Sequence, residues 1–318
     1  MTSNKELYRE FCRSERELPI FLQDWWLDAV CHEGVWDAAI TGEGNDIHGV
    51  MPYYLVKGRL GHRFITMPRL TQVMGPWLRY PPQQKSWSRL AFEKKAMNAL
   101  IGQLPPFDQL SLSFHYSLKN WLPFYWEGFS QSSGVTYVID DIADIGVVYG
   151  NFRGNIRREI KKAAKTVTVT PEEDIDSFYE IVFKTYRRQG MEPSVSLEFL
   201  KRLDDACRAR DRRLIFFARD KNNRVHAALY VVWDDVSAYH LLSGGDPELR
   251  NSGATSLLMW EAIQWAATNG LRFDFEGSMR EPIEQFFRSF GAVPRNYFFI
   301  SKTNSRFLKL KQFLQEIR

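Results

Sequence analysis

Cysteine is scarce in this chain. Cys12, Cys31 and Cys207 are odd in number and lack the paired spacing of a zinc site or a disulfide framework, so they read as packing residues. No structural metal is implied. The six histidines are scattered, and His48 and His226 fall at equivalent places in two hairpins, which favours a shared structural role over metal ligation. No apolar run approaches the length of a membrane span, and the start, Met1-Thr-Ser-Asn-Lys-Glu6, has no apolar core of signal-peptide length. A cytoplasmic location is the expectation. With 44% hydrophobic and 25% charged residues, the 318-residue chain matches ordinary globular composition and can bury two domain-sized cores.

What the sequence does contain is one module written twice. In the first half Trp36–Ile40 and Ile47–Tyr54 flank a polar turn; in the second, Leu214–Ala218 and Val225–Tyr230 flank Asp220-Lys-Asn-Asn223. Both read as β-hairpins, because β-branched and aromatic runs are separated by turn residues. Further on, the strand Phe107–Phe114 precedes the aromatic stretch Pro123–Phe129 with Gly128, and Phe273–Glu276 precedes Phe286–Phe290 with Gly291. The shared order of strand, aromatic helix, glycine and final strand predicts duplication. Helices are expected near 88–102, 174–189, 197–210, 257–267 and 305–318, the last packing back on the first module. The expected domains are 1–148, 149–302 and a terminal helix at 303–318. The fold class is α/β (α+β), two tandem modules each built on a mixed, mostly antiparallel sheet flanked by helices.

A formal net charge of +4 is modest, but its distribution is uneven. Between the modules, Arg153, Arg157, Lys161 and Lys165 recur four apart, flanked by Arg158 and Lys162, with Ile156, Ile160, Ala163 and Ala164 opposite. This is an amphipathic helix with a basic stripe. A solvated surface helix would look the same; the alternative is a platform for phosphate groups on a nucleotide, coenzyme or RNA end. A second basic cluster gathers Arg208, Arg210, Arg212 and Arg213.

One loop carries a ligand signal. The strand Tyr239–Leu242, containing His240, runs into Ser243-Gly244-Gly245; Arg250-Asn-Ser-Gly253-Ala254-Thr255 follows, opening an apolar helix that stops at Asn269-Gly270. The amino end of that helix offers backbone N–H groups and positive dipole, and Gly253 and Ala254 are small enough for a phosphate to come close. Many α/β proteins have such a turn without a ligand. At the end of the following strand Asp274 and Glu276 share a face by period two, with Ser278 beside them; paired carboxylates raise each other's pKa and suit a general base. Capping or pairing with a nearby arginine is the structural alternative for them.

Together these segments resemble the GNAT acyltransferase superfamily, whose pyrophosphate loop has the pattern Arg/Gln-x-x-Gly-x-Gly/Ala. Here Arg250-x-x-Gly253-x-Thr255 departs from it only at the last position. Two modules in tandem with the basic helix between resemble the Fem-type branch, the peptidyltransferase-like proteins related to methicillin-resistance factors; Phe21–Trp26 and Phe273–Met279 resemble uncharacterised bacterial members with a GNAT-type acetyltransferase domain. The resemblance covers nearly the whole chain. It implies an N-acyltransferase using acetyl-CoA, another acyl-CoA or aminoacyl-tRNA as donor, and an amine acceptor on a cell-envelope or peptidoglycan precursor. It assigns the donor to Ser243, Gly244, Gly245, Arg250, Gly253, Ala254 and Thr255. Substrate contacts are expected from Arg153, Arg157 and His240, and from Arg69, Thr71 and Gln72 in the first module's corresponding loop, which lacks Arg-x-x-Gly and is expected to line the acceptor site in a cleft between the modules. In both GNAT and Fem patterns a tyrosine or lysine stands where this chain has Phe287. The competing reading is a non-catalytic binding module for a phosphorylated sugar precursor or a partner protein. A sequence-specific nucleic-acid binder has only the basic helix in its favour.

Overall fold

The computed structural model describes residues 3–43, 46–58, 60–277 and 279–316. In chain order its elements are α1 (Asn4–Ser14), α2 (Asp24–Val30), β1 (Val35–Glu43), β2 (Asp46–Lys57), β3 (Arg63–Ile65), β4 (Trp77–Leu78), α3 (Ser86–Ile101), β5 (Gln109–Ser113), α4 (Leu122–Trp126) and β6 (Ser130–Ile139). Then follow α5 (Ile145–Asn151), α6 (Gly154–Ala163), β7 (Val167–Pro171), α7 (Ile175–Arg188), α8 (Leu197–Arg208), β8 (Arg213–Asp220), β9 (Val225–Trp233), β10 (Ser237–Gly245), α9 (Ala254–Thr268), β11 (Arg272–Asp274), α10 (Glu281–Arg288), β12 (Val293–Thr303) and α11 (Arg306–Glu316).

The chain divides into two compact units, one of Met1–Gly134 with Asn296–Arg318, the other of Val135–Arg295. These divisions fall inside β6 and β12 rather than at 148/149 and 302/303. The first unit's sheet runs β1-β2-β3-β5-β12 with β4 on β2, and the second's runs β6-β11-β10-β9-β8-β7. Each sheet therefore contains a strand from the other half of the sequence: Phe299–Thr303 of β12 pair with β5, and Val138–Ile139 of β6 pair with β11.

The module order read from sequence is present in both units. Each has an antiparallel hairpin, β1/β2 or β8/β9. Each then has two parallel strands joined through a helix: β3 and β5 around α3, β10 and β11 around α9. The short helices α4 and α10 both begin with proline in the first turn, where a missing N–H costs nothing. Local chemistry explains the helix limits. Asp174 Oδ1 accepts from Ser177 N at 3.0 Å to start α7, and Ser196 Oγ accepts from Phe199 N at 3.2 Å to start α8. Gly270, at φ 68°, ends α9 and lets Leu271 N reach Ala266 O at 3.0 Å.

In the second unit α9 is apolar on most sides and lies in the core with Leu257, Leu258, Ala262, Ile263 and Ala266 buried. Ile156, Ile160 and Ala163 of α6 join the same core. Ala164, expected on that apolar face, is exposed because it lies at the helix end, past the last buried turn. All three cysteines are buried, and burial pushes each thiol up, Cys12 to about 12. The expected second basic cluster is largely neutralised locally: Arg213 is buried against Asp204 at 2.9 Å and Glu173, Arg212 meets Asp235 at 2.6 Å, and Arg208 meets Asp205 at 2.6 Å. That corner is structural.

Candidate functional site

In the second unit β10 and β11 pair only over Ser237–Tyr239 and Arg272–Asp274. Beyond Tyr239, β10 runs on to Gly245 bonded to β9 alone, with a bulge between His240 and Leu242 that re-aims the strand. Among the described residues no strand pairs with His240–Gly245 on the β11 side. The chain thus leaves one extended edge open, and that edge leads toward the amino end of α9.

The loop joining β10 to α9 is held rigidly. Thr185 Oγ1 accepts from Gly245 N at 2.8 Å and donates to Gly245 O at 3.1 Å; Lys184 pairs with Asp246 at 2.7 Å. From α6, Lys162 donates to the Asn251 carbonyl and Glu159 Oε2 accepts from Ser256 Oγ at 2.5 Å. Arg250 stands exposed in a single 3-10 turn. Packing accounts for two of the glycines. A Cβ on Gly253 would lie 2.7 Å from Glu159 O, at φ 80°, so this glycine admits the close approach of α6, and Ala254 is buried. A Cβ on Gly244 would lie 2.6 Å from Val182 Cα, so that glycine admits α7. Gly245 is different, since its Cβ would make only ordinary contacts, 3.5 Å from His226 O and 3.7 Å from Thr255 Oγ1. Arg153, Arg157, Arg158, Lys161 and Lys165 are all exposed on and around α6.

At the end of β11 the two carboxylates come together, though not through strand geometry. The strand ends at Asp274, and Glu276 adopts a left-handed φ of 57°. The turn forms because Asp274 Oδ1 accepts from Glu276 N at 2.9 Å and from Thr136 Oγ1 at 2.6 Å. Gly277, at φ 39°, completes it; a Cβ there would lie 2.2 Å from Val135 O. Burial raises Asp274 to about 6 despite its two donors, and burial together with the charges of Asp274 and Asp234 raises Glu276 well above the carboxylate range. A non-glycine residue in the left-handed region beside a buried carboxylate is stored strain of the kind found at reactive centres. Ser278 lies outside the described residues.

His240 Nε2 lies 2.9 Å from Ser243 Oγ, and its ring packs edge-on at 5.5 Å from that of Phe287. Burial lowers its pKa to about 4, partly offset by the Phe275 backbone, so the imidazole is neutral at pH 7. Phe287 itself is buried, 5.3 Å from the Phe275 ring. One turn earlier on α10, Glu284 Oε1 accepts from Tyr137 Oη at 2.6 Å. Sequence reading missed Thr136, Asp234 and Tyr137, because each acts on residues far along the chain and belongs to no local pattern.

The first unit's loop behaves otherwise. Thr71 is buried and its Oγ1 accepts from Trp26 Nε1 at 3.0 Å; Gln72 is partly buried and Arg69 exposed. Met74 N donates to Ser113 O at 2.7 Å, and Ser113 N lies 3.3 Å from Met67 Sδ. The loop lies against the end of β5 on its β3 side.

Residues 150–284 match the family described as acetyltransferase (GNAT) domain. Comparison with curated proteins finds no match. Among solved structures, FemX is similar with a TM-score of 0.70 at 12% identity, covering 94% of this chain and 96% of that one. L-PGS from Bacillus licheniformis is similar at 0.55 and 11% identity, covering 96% and 95%. The tandem GNAT protein from the clavulanic acid biosynthesis pathway is similar at 0.54 and 10% identity, covering 95% and 94%. At these identities the likeness is one of fold. Residues 150–284 thus match a GNAT acetyltransferase domain, and over nearly its whole length the chain has a fold like those of FemX and the tandem GNAT protein.

Proposed function

We propose that the chain is an N-acyltransferase that takes its donor along the open edge of β10 in the second unit and passes the acyl group to an amine. The observation that carries this reading is the run His240–Gly244, which has no strand partner on the β11 side and leads to the start of α9, next to the strained turn at Glu276. An extended amide-bearing arm, such as the pantetheine of an acyl-CoA, would pair with that edge as an added strand does. Its phosphates would meet the α9 amino end, Arg250 and the exposed cations of α6.

Glu276 then serves as the base. A carboxylate whose pKa burial has raised takes a proton from an attacking ammonium more readily than an ordinary one does. The freed amine attacks the thioester carbonyl, the C–N bond forms, the nitrogen gives its second proton to solvent, the C–S bond breaks, and the electron pair leaves on sulfur. With Phe287 buried at the position of the usual acid, the departing group leaves as thiolate and takes its proton from solvent; a thiol pKa near 8.5 makes that feasible. Asp274 is a positioning residue, since its carboxylate holds the Glu276 backbone. Acetyl-CoA or another acyl-CoA is the favoured donor. Aminoacyl-tRNA is the alternative, with the basic face of α6 for its phosphates, and an amine of a cell-envelope or peptidoglycan precursor is the favoured acceptor.

Calorimetry with coenzyme A, acetyl-CoA and longer acyl-CoAs tests the donor. Binding by any of them is expected; none binding would sink the coenzyme reading and leave charged tRNA, whose binding should weaken steeply with salt. One observation favours a non-catalytic binding module for a phosphorylated sugar precursor or a partner protein: the packing of Phe287 against His240 and Phe275, which leaves no proton donor at that position. That reading predicts coenzyme or phosphate binding with no transfer to any amine.

A further inference from the structure

The terminal helix α11 presents its apolar side to solvent. Leu308 is buried and Gln312 partly so, whereas Phe307, Leu310, Phe313 and Leu314 are each more than half exposed. The helix cannot simply roll over to hide them. Asn304 N and Ser305 N donate to Asp108 O at 2.8 and 3.2 Å, Asn304 Nδ2 donates to Phe107 O at 3.1 Å, and the Phe307 ring stacks on His62 at 5.8 Å. These contacts fix the outward direction of the stripe. At about 100° per residue, Phe307, Leu310, Phe313 and Leu314 share one arc, with Lys311 on one flank, Lys309 on the other and Arg306 within it.

We infer that α11 is a docking helix for an anionic lipid surface. A helix lying in a bilayer interface buries aromatic and leucine side chains among the acyl chains while lysines at its flanks reach up to the headgroups, and that is the arrangement of these seven residues. Charge decides against self-association. The helix carries three cations and one carboxylate, so two copies laid face to face would set lysine against lysine. Size decides the same way: four half-exposed side chains offer about 400 Å², half of the ~800 Å² per partner that a stable dimer needs. An anionic surface satisfies both the apolar stripe and its flanks. This inference is independent of the acyl-transfer reading, because it rests on the first unit alone.

The test is co-flotation of the full chain with vesicles of phosphatidylcholine, alone or with about 30% phosphatidylglycerol, where each cation near the surface contributes about fivefold. Binding is expected on the anionic vesicles and to fall in high salt. The double variant Lys309→Glu/Lys311→Glu should bind at least about tenfold more weakly, and Leu310→Ser/Phe313→Ser should lose binding, both with unchanged circular dichroism because the altered side chains are exposed. Failure of the unaltered chain to bind either vesicle, or binding that neither variant weakens, would overturn the inference. So would a dimer in light scattering that Leu310→Ser/Phe313→Ser dissociates, which would assign the face to a second copy.

Discussion

The two parallel strand pairs, β3 with β5 and β10 with β11, start from the same plan and end differently. In the first unit β3 stops at Ile65, and the following loop sends Met67 and Met74 to the backbone of Ser113 on the β5 edge that β3 leaves. In the second, β10 continues six residues past its last partner on β11, and among the described residues no strand takes the vacant edge. A sheet edge with unpaired backbone must be covered or used. One copy of the module covers it with its own chain. The other leaves it without a strand partner, where the proposed donor would pair, and only that copy carries the buried carboxylates at the end of the second strand.

The sharpest way to break this contrast is Glu276→Gln, which keeps the size of the side chain and removes its proton affinity. Transfer from the donor identified by calorimetry should fall at least about a hundredfold with donor affinity unchanged. Full activity in this variant would remove the carboxylate from the second unit's side of the comparison. The glycines come next. Gly244→Ala and Gly253→Ala should each lower stability by roughly 2–3 kcal/mol in urea unfolding, because a methyl group meets backbone of α7 or α6. Gly245→Ala should stay within about 0.5 kcal/mol, since its contacts remain ordinary.

Asp274→Asn separates burial from chemistry through pH. Its folded pKa, about 6, lies above the ordinary 3.8, so the native state binds the proton more tightly and stability falls as pH rises from about 4 to 6. Asparagine keeps the acceptor oxygen for Thr136 and Glu276 N but never ionises. The variant should therefore gain on the order of 2 kcal/mol relative to the unaltered chain between pH 4 and pH 7.5. A gain that is the same at both pH values would show that the charge is not what strains the site. In the first unit, Thr71→Val should cost about 1 kcal/mol by orphaning Trp26 Nε1; unchanged transfer would make the residue a packing one, and lost transfer beyond that cost would support the loop as acceptor lining. The smallest effect is expected from Arg157→Gln/Lys161→Gln, a few-fold weakening of donor binding at low salt that vanishes at high salt, read by calorimetry.

The repeat was legible because hairpins, prolines at helix starts and the Asn269-Gly270 stop are local signals, each written in a few neighbouring residues. The α9 boundary and the basic helix were legible for the same reason. The roles of Gly244 and Gly253 were not. A glycine announces that something comes close but does not say what, and here the visitors are Val182 and Glu159, each distant in sequence. Period-two spacing brought Asp274 and Glu276 to attention for the wrong geometric reason; the left-handed turn that joins them depends on Thr136 and Val135 across the sheet. The covering of the first unit's strand edge by Met67 and Met74 has no sequence signature, since a thioether and a backbone amide do that work.

The strand exchange also sets a timetable. Ser113 of β5 has its antiparallel partner at Phe299, so the sheet of the unit that leaves the ribosome first lacks its last strand until almost the entire chain has been made. The amino-terminal half cannot finish before the other, and a cut at the middle of the sequence yields two fragments each missing a strand of its own sheet. What began as two copies of a module has become one folding problem.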